Sequence, residues 1–141
     1  MGVRRILIVD DEAPLLTLNK AIVGRAFPES DIVTAITAEG ALSHMMAERF
    51  DLILSDLETP GNATGNDVAA QARLDKTPCV IATGKPDLVE PGIASDVVSK
   101  PYSRRELVAA LNGALRRFHS VLGINDLDTN PTRSAVQVPP N

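Results

Sequence analysis

Five short runs rich in Ile, Val and Leu recur along the chain, and four of them stop at a polar residue. They run from Arg4 to Val9, Asp31 to Ala35, Leu52 to Leu54, Cys79 to Ala82 and Asp96 to Ser99. Continuous apolar runs of this length predict strands buried on both faces. Between them apolar residues recur at helical spacing. Pro14 suits a first helical turn, with Leu15, Leu18, Ile22 and Val23 behind it and Phe27-Pro28 as a stop. Thr37 caps a second helix to about Arg49, with Ala41, Leu42 and Met45 inward. A third runs from Asp67 to about Leu74, after a Pro-, Gly- and Asn-rich loop from Glu58 to Asn66. Ser103 and Glu106 form a capping box that opens the last helix, whose apolar stripe is Leu107, Leu111, Leu115, Phe118 and Leu122. Pro86, Pro91 and Gly92 interrupt the stretch from Gly84 to Ser95, which leaves room for one turn near Asp87 to Glu90. Strands alternating with helices imply an α/β fold, a five-stranded parallel doubly wound sheet whose fourth helix is short or missing.

The 141 residues suffice for one domain, read as residues 1–122, with 123–141 as a polar, Pro-containing flexible tail. Fourteen basic and eighteen acidic residues give a net charge of −4, which argues against direct nucleic-acid binding. The single cysteine excludes a disulfide framework. The N-terminal apolar run is too short for a signal peptide or membrane span, so a cytoplasmic chain without membrane insertion is expected.

Ligands of doubly wound sheets sit at the carboxyl ends of the strands. The polar residues that fall there are Asp10 and Asp11, Asp56, Thr83 and Lys100. Three carboxylates in one pocket repel each other unless a cation joins them. An all-oxygen ligand set without His or Cys suits Mg²⁺. A carboxylate beside Mg²⁺ and a lysine is equipped for phosphoryl transfer, with Asp56 as nucleophile and Lys100 and the Thr83 hydroxyl neutralising the phosphoryl oxygens.

Asp10-Asp11, the Asp56 strand end with Pro60 four residues on, Ala82-Thr83-Gly84 and Lys100-Pro101-Tyr102 together resemble the receiver domain of two-component response regulators, from Val3 to about Leu122. The resemblance implies the flavodoxin-like receiver fold. It makes Asp56 the phosphoacceptor, served by a histidine kinase or phosphotransfer protein. It makes Asp10, Asp11, Asp56 and the Glu58 backbone carbonyl the Mg²⁺ ligands, Thr83 and Tyr102 the switch pair, and Lys100–Pro101 a cis bond. The protein would then be a phosphoprotein and not an enzyme in its own right. Ile81-Ala82-Thr83-Gly84 is partly similar to an atypical receiver subfamily with a poorly ordered fourth helix. Only sixteen residues separate Thr83 from Lys100, fewer than the family pattern, and the loop from Gly61 to Gly65 is one residue longer. Glu58 and Lys85 flank the site, where an ion pair would slow attack by water. The nineteen residues after Leu122 hold no output domain, so a single-domain regulator is expected. It would act by docking to a downstream protein or by shuttling phosphate, and a homodimer remains open.

Two other functions fit parts of the pattern. A pseudo-receiver would share the fold without being phosphorylated. Asp56-Leu57-Glu58-Thr59 resembles the nucleophile motif of haloacid-dehalogenase phosphatases, but in those the second acidic pair lies downstream, unlike Asp10-Asp11. Other features need no special role. Asp10 and Asp11 could end a strand and cap a helix. Cys79 reads as core, and His44 and His119 as surface residues without metal-ligand spacing. Arg104 and Arg105 oppose the dipole of their helix and read as a solvated face.

Overall fold

The computed structural model describes residues 2–121, so the predicted tail and Leu122 lie outside the described residues. Five strands, β1 (Arg5–Val9), β2 (Asp31–Ala35), β3 (Leu52–Asp56), β4 (Cys79–Thr83) and β5 (Asp96–Ser99), form one sheet. Its order is β2-β1-β3-β4-β5, and all neighbours are parallel. Side chains alternate between its faces. Ile6, Ile8, Leu52, Leu54, Val80 and Ala82 point into one core. Leu7, Val9, Ile53, Cys79 and Ile81 point into the other. Both faces are therefore buried, which is why these strands read as unbroken apolar runs.

Helices α1 (Ala13–Ala26) and α4 (Arg104–Val121) cover the first face through Ile22, Val23, Leu107 and Leu111. Helices α2 (Ala38–Ala47) and α3 (Gly65–Asp75) cover the second through Ala41, Met45, Val68 and Ala72. Thr37 caps α2 by accepting the Gly40 N–H at 3.0 Å. The capping box of α4 is reciprocal: the Glu106 N–H donates to Ser103 Oγ and the Ser103 N–H to Glu106 Oε1. Among the described residues no helix is long and apolar enough to cross a membrane.

The structure moves several expected boundaries. Helix α3 begins at Gly65 rather than Asp67, because Thr64 and Asp67 form a second capping box. Helix α2 stops at Ala47, two residues before the expected end. Leu18 does not face the core; it is 53% exposed, and the buried position beside it belongs to Asn19.

The crossover from β4 to β5 contains one 3₁₀ turn, Pro86–Leu88, and no α-helix, as Pro86, Pro91 and Gly92 led us to expect. Side chains of α3 hold its backbone instead. Asn66 donates to Leu88 O and accepts from the Glu90 N–H, both at 3.0 Å. Arg73 donates to Gly92 O at 2.6 Å. Val89, Ile93 and Ala94 add partial apolar cover.

Candidate functional site

Asp10 leaves β1 at the carboxyl edge of the sheet and is only 2% exposed. Its Oδ1 accepts the Glu12 N–H at 2.9 Å, which fixes the carboxylate. Asp56 ends β3 and Thr83 ends β4, while Lys100 follows β5. The parallel register brings these ends level: Val9 pairs with Ser55, Asp56 with Ala82, and Thr83 with Ser99. The result is a site assembled from residues far apart in sequence.

Lys100 Nζ stands 3.4 Å from Asp56 Oδ2 and 3.6 Å from Asp10 Oδ2. Asp10, Asp11 and Asp56 each offer a carboxylate oxygen, all within 4.8 Å of one another. Burial raises the Asp56 carboxyl above its ordinary value and the Asp10 charge adds to this, against the Lys100 ammonium and the Glu58 N–H, which pull it down. Burial alone would lower Lys100, but Asp56 and Asp10 outweigh it and hold the ammonium above its ordinary value. Such a cluster has surplus negative charge in a confined space, and its donors are all hard oxygens. The residues present fit Mg²⁺.

Thr83 is buried, and its Oγ1 accepts the Lys85 N–H at 2.9 Å, which leaves the hydroxyl proton for donation into the site. Glu58 and Lys85 form the expected ion pair at the mouth, 3.5 Å apart and both more than half exposed. The Lys100–Pro101 bond is cis, as the resemblance implied. Tyr102 is half-buried against the α1–α4 core, and its hydroxyl donates to Asn19 Oδ1 at 2.9 Å. Burial raises its phenol, partly countered by that bond. The bond that fixes Tyr102 therefore runs to α1, whereas Thr83 is fixed within its own turn.

Two residues escaped the sequence reading. Asn19 falls on the apolar stripe of α1, three residues before Ile22, and a polar residue there was a usable sign of a buried partner. Glu39, at the start of α2, accepts the N–H groups of Asn62 and Ala63 at 2.8 and 3.0 Å. These bonds draw its carboxyl below the ordinary value. With Thr59 Oγ1 accepting the Ala38 N–H at 2.9 Å, they anchor the loop after Asp56 to α2. Nothing in the local sequence pairs residue 39 with a loop more than twenty positions on.

The sequence and the fold are both similar to those of known proteins. Residues 6–112 match the family model described as the response regulator receiver domain. The chain is 36% identical over 138 residues to the DNA-binding response regulator MtrA of Mycobacterium leprae, covering 89% of this chain and 59% of that protein. It is 30% identical over 141 residues to the sensory transduction protein RegX3 of Mycobacterium bovis, covering 94% and 61%. The chain thus spans about three fifths of the length of these curated relatives. Among solved structures, the response regulator TrrA of Thermotoga maritima, in complex with Mg²⁺ and BeF, superposes with a TM-score of 0.69 at 27% identity. That match covers 79% of this chain and 99% of the other. The signal receiver domain of an HD domain-containing protein from Pseudomonas fluorescens gives 0.73 at 25%, covering 86% and 93%.

Proposed function

Because this chain belongs to the response regulator receiver domain family of two-component signalling, we propose that Asp56 is its phosphoacceptor and that a histidine kinase or phosphotransfer protein supplies the phosphoryl group. The observation that carries this reading is Lys100 Nζ lying within 3.6 Å of both Asp56 and Asp10 at the strand ends. Asp10, Asp11, Asp56 and the Glu58 backbone carbonyl are the proposed Mg²⁺ ligands. When bound, the ion would neutralise charge on the phosphoryl oxygens and orient them for in-line attack.

The residues of the chain do the rest. An Asp56 carboxylate oxygen attacks phosphorus and forms the new P–O bond as the bond to the donor breaks. Lys100, now shared between two carboxylates, transfers one contact to a phosphoryl oxygen. The Thr83 hydroxyl donates to another. Thr83 and Tyr102 are the proposed switch pair: turning the threonine disturbs its bond with the Lys85 N–H, and Tyr102 responds by exchanging Asn19 for a new position. A coupling of about 1–3 kcal/mol suffices to shift such an equilibrium several-fold. The output is proposed to be docking to a downstream protein or onward transfer of phosphate, without nucleic-acid contact by the described residues.

Intact mass after incubation with Mg²⁺ and acetyl phosphate tests the acceptor. One labile phosphoryl adduct is expected on the wild type and none on Asp56→Asn. Absence of an adduct, with acetyl phosphate and with a cognate kinase alike, would favour the pseudo-receiver reading.

A further inference from the structure

The sheet order leaves β5 at an edge, and the crossover before it lacks the helix that would cover the flank beside α3. A cleft of about 350 Å³ opens there, at the end of the sheet opposite Asp56. Its floor is apolar, with Ala69, Ile93 and Phe118. Its rim carries three cations, Arg73, Lys76 and Arg117, on a chain of net charge −4. Asp96 matches Arg117 at 3.0 Å. Among the described residues no carboxylate pairs with Arg73 or Lys76. Two cationic groups thus flank an apolar trough without counter-charge.

The described part of α4 ends at the same place, since Arg117 and Phe118 in its last turns line the cleft. The residues that follow, 122–128, read Leu-Gly-Ile-Asn-Asp-Leu-Asp. Ile124 and Leu127 are apolar, and Asp126 and Asp128 carry two negative charges. Charge and apolarity both complement the cleft, and the segment starts within a few residues of its wall. An extended chain covers about 3.3 Å per residue, so seven residues reach across a cleft of this size. We propose that segment 122–128 of this chain seats in the α3–α4 cleft, with Ile124 and Leu127 on the floor and Asp126 and Asp128 paired to Arg73 and Lys76. The segment then takes the place of the missing crossover helix and shields the flank of β5.

Backbone ¹⁵N relaxation on the full chain tests this. Order parameters for 122–128 should match those of α4, near 0.85, and should fall below about 0.6 in Arg73→Glu/Lys76→Glu. Nuclear Overhauser contacts from Leu127 to Ile93 and Phe118 are expected in the wild type. Low order parameters in the wild type overturn the proposal. So does an ordered segment that ignores the charge reversal. A mixture of ¹⁵N-labelled and unlabelled chains separates the remaining case: contacts that arise only between two molecules assign the cleft to a second copy and also overturn it. Lys76→Met, with a neutral side chain of similar length, guards against misfolding of the double variant and should give an intermediate loss of order.

Discussion

Lys100 serves two carboxylates at once, so neither Asp10 nor Asp56 has a full counter-charge of its own. The site is therefore kept short of positive charge, a state that favours a divalent ion, whose added charge would in turn admit an anionic phosphoryl group. At its mouth the exposed Glu58–Lys85 pair is suited to hinder water rather than to stabilise the fold. Glu58→Ala should shorten the phosphate lifetime by about two- to fivefold, the range that an exposed pair worth up to about 1 kcal/mol allows. The decay of the phosphoryl mass with time measures it, and an unchanged lifetime would remove Glu58 from the account. Tyr102 is a different case, because its partner Asn19 is buried. Tyr102→Phe leaves the Asn19 carbonyl without that donor and should cost about 1–3 kcal/mol in urea unfolding. Adding Asn19→Leu should recover much of the loss, since both polar groups are then gone.

The elements differ in how plainly the sequence announces them. Strands β1, β3 and β4 carry their own evidence, because burial on both faces demands apolar residues at every position. The capping box of α4 is equally local. Helix α1 misled at Leu18, since a 3.6-residue period marks a face but not its width, and the buried slot there went to a polar residue that serves Tyr102. The early start of α3 was hidden in a loop of turn-forming residues, and besides its capping box it depends on a close contact. A Cβ on Gly65 would collide with Asp56 O and come within 2.8 Å of the Leu57 Cα. The helix can begin there only because glycine lets it lie against the end of β3. Gly65→Ala should therefore cost about 1–3 kcal/mol by overpacking. It should also slow phosphorylation of Asp56, with denaturant unfolding and initial adduct rate as the two readouts. The five polar residues at the ends of four strands were legible because the fold class dictates where strands end. The Glu39 anchor was not, because it depends on how a loop folds back on a distant helix.

For the whole molecule, the acidic cluster at the strand ends works against stability. The Asp56 carboxyl is raised in the folded state, chiefly by burial, so the folded chain binds that proton more tightly than the unfolded one. Its stabilising contribution is full below the ordinary value of 3.8 and is lost as pH rises through the folded value. In metal-free buffer, the melting temperature of the wild type should therefore fall relative to that of Asp56→Asn as the pH rises above the ordinary carboxyl value of 3.8. Mg²⁺ should offset this at neutral pH, by about 2.7 kcal/mol at a hundred times its Kd, and thermal melts with and without the ion measure both effects. Stability is also distributed unevenly. Helices α1 to α4 are held by apolar faces, whereas the β4–β5 crossover has only the partial apolar cover of Val89, Ile93 and Ala94 and is tied to α3 by the amide of Asn66 and the guanidinium of Arg73. Breaking polar ties uncovers little hydrocarbon, so detachment of this segment carries a small heat-capacity change and a shallow dependence on urea. Its amides would exchange with solvent at rates nearly indifferent to denaturant, while those of the central strands follow global unfolding.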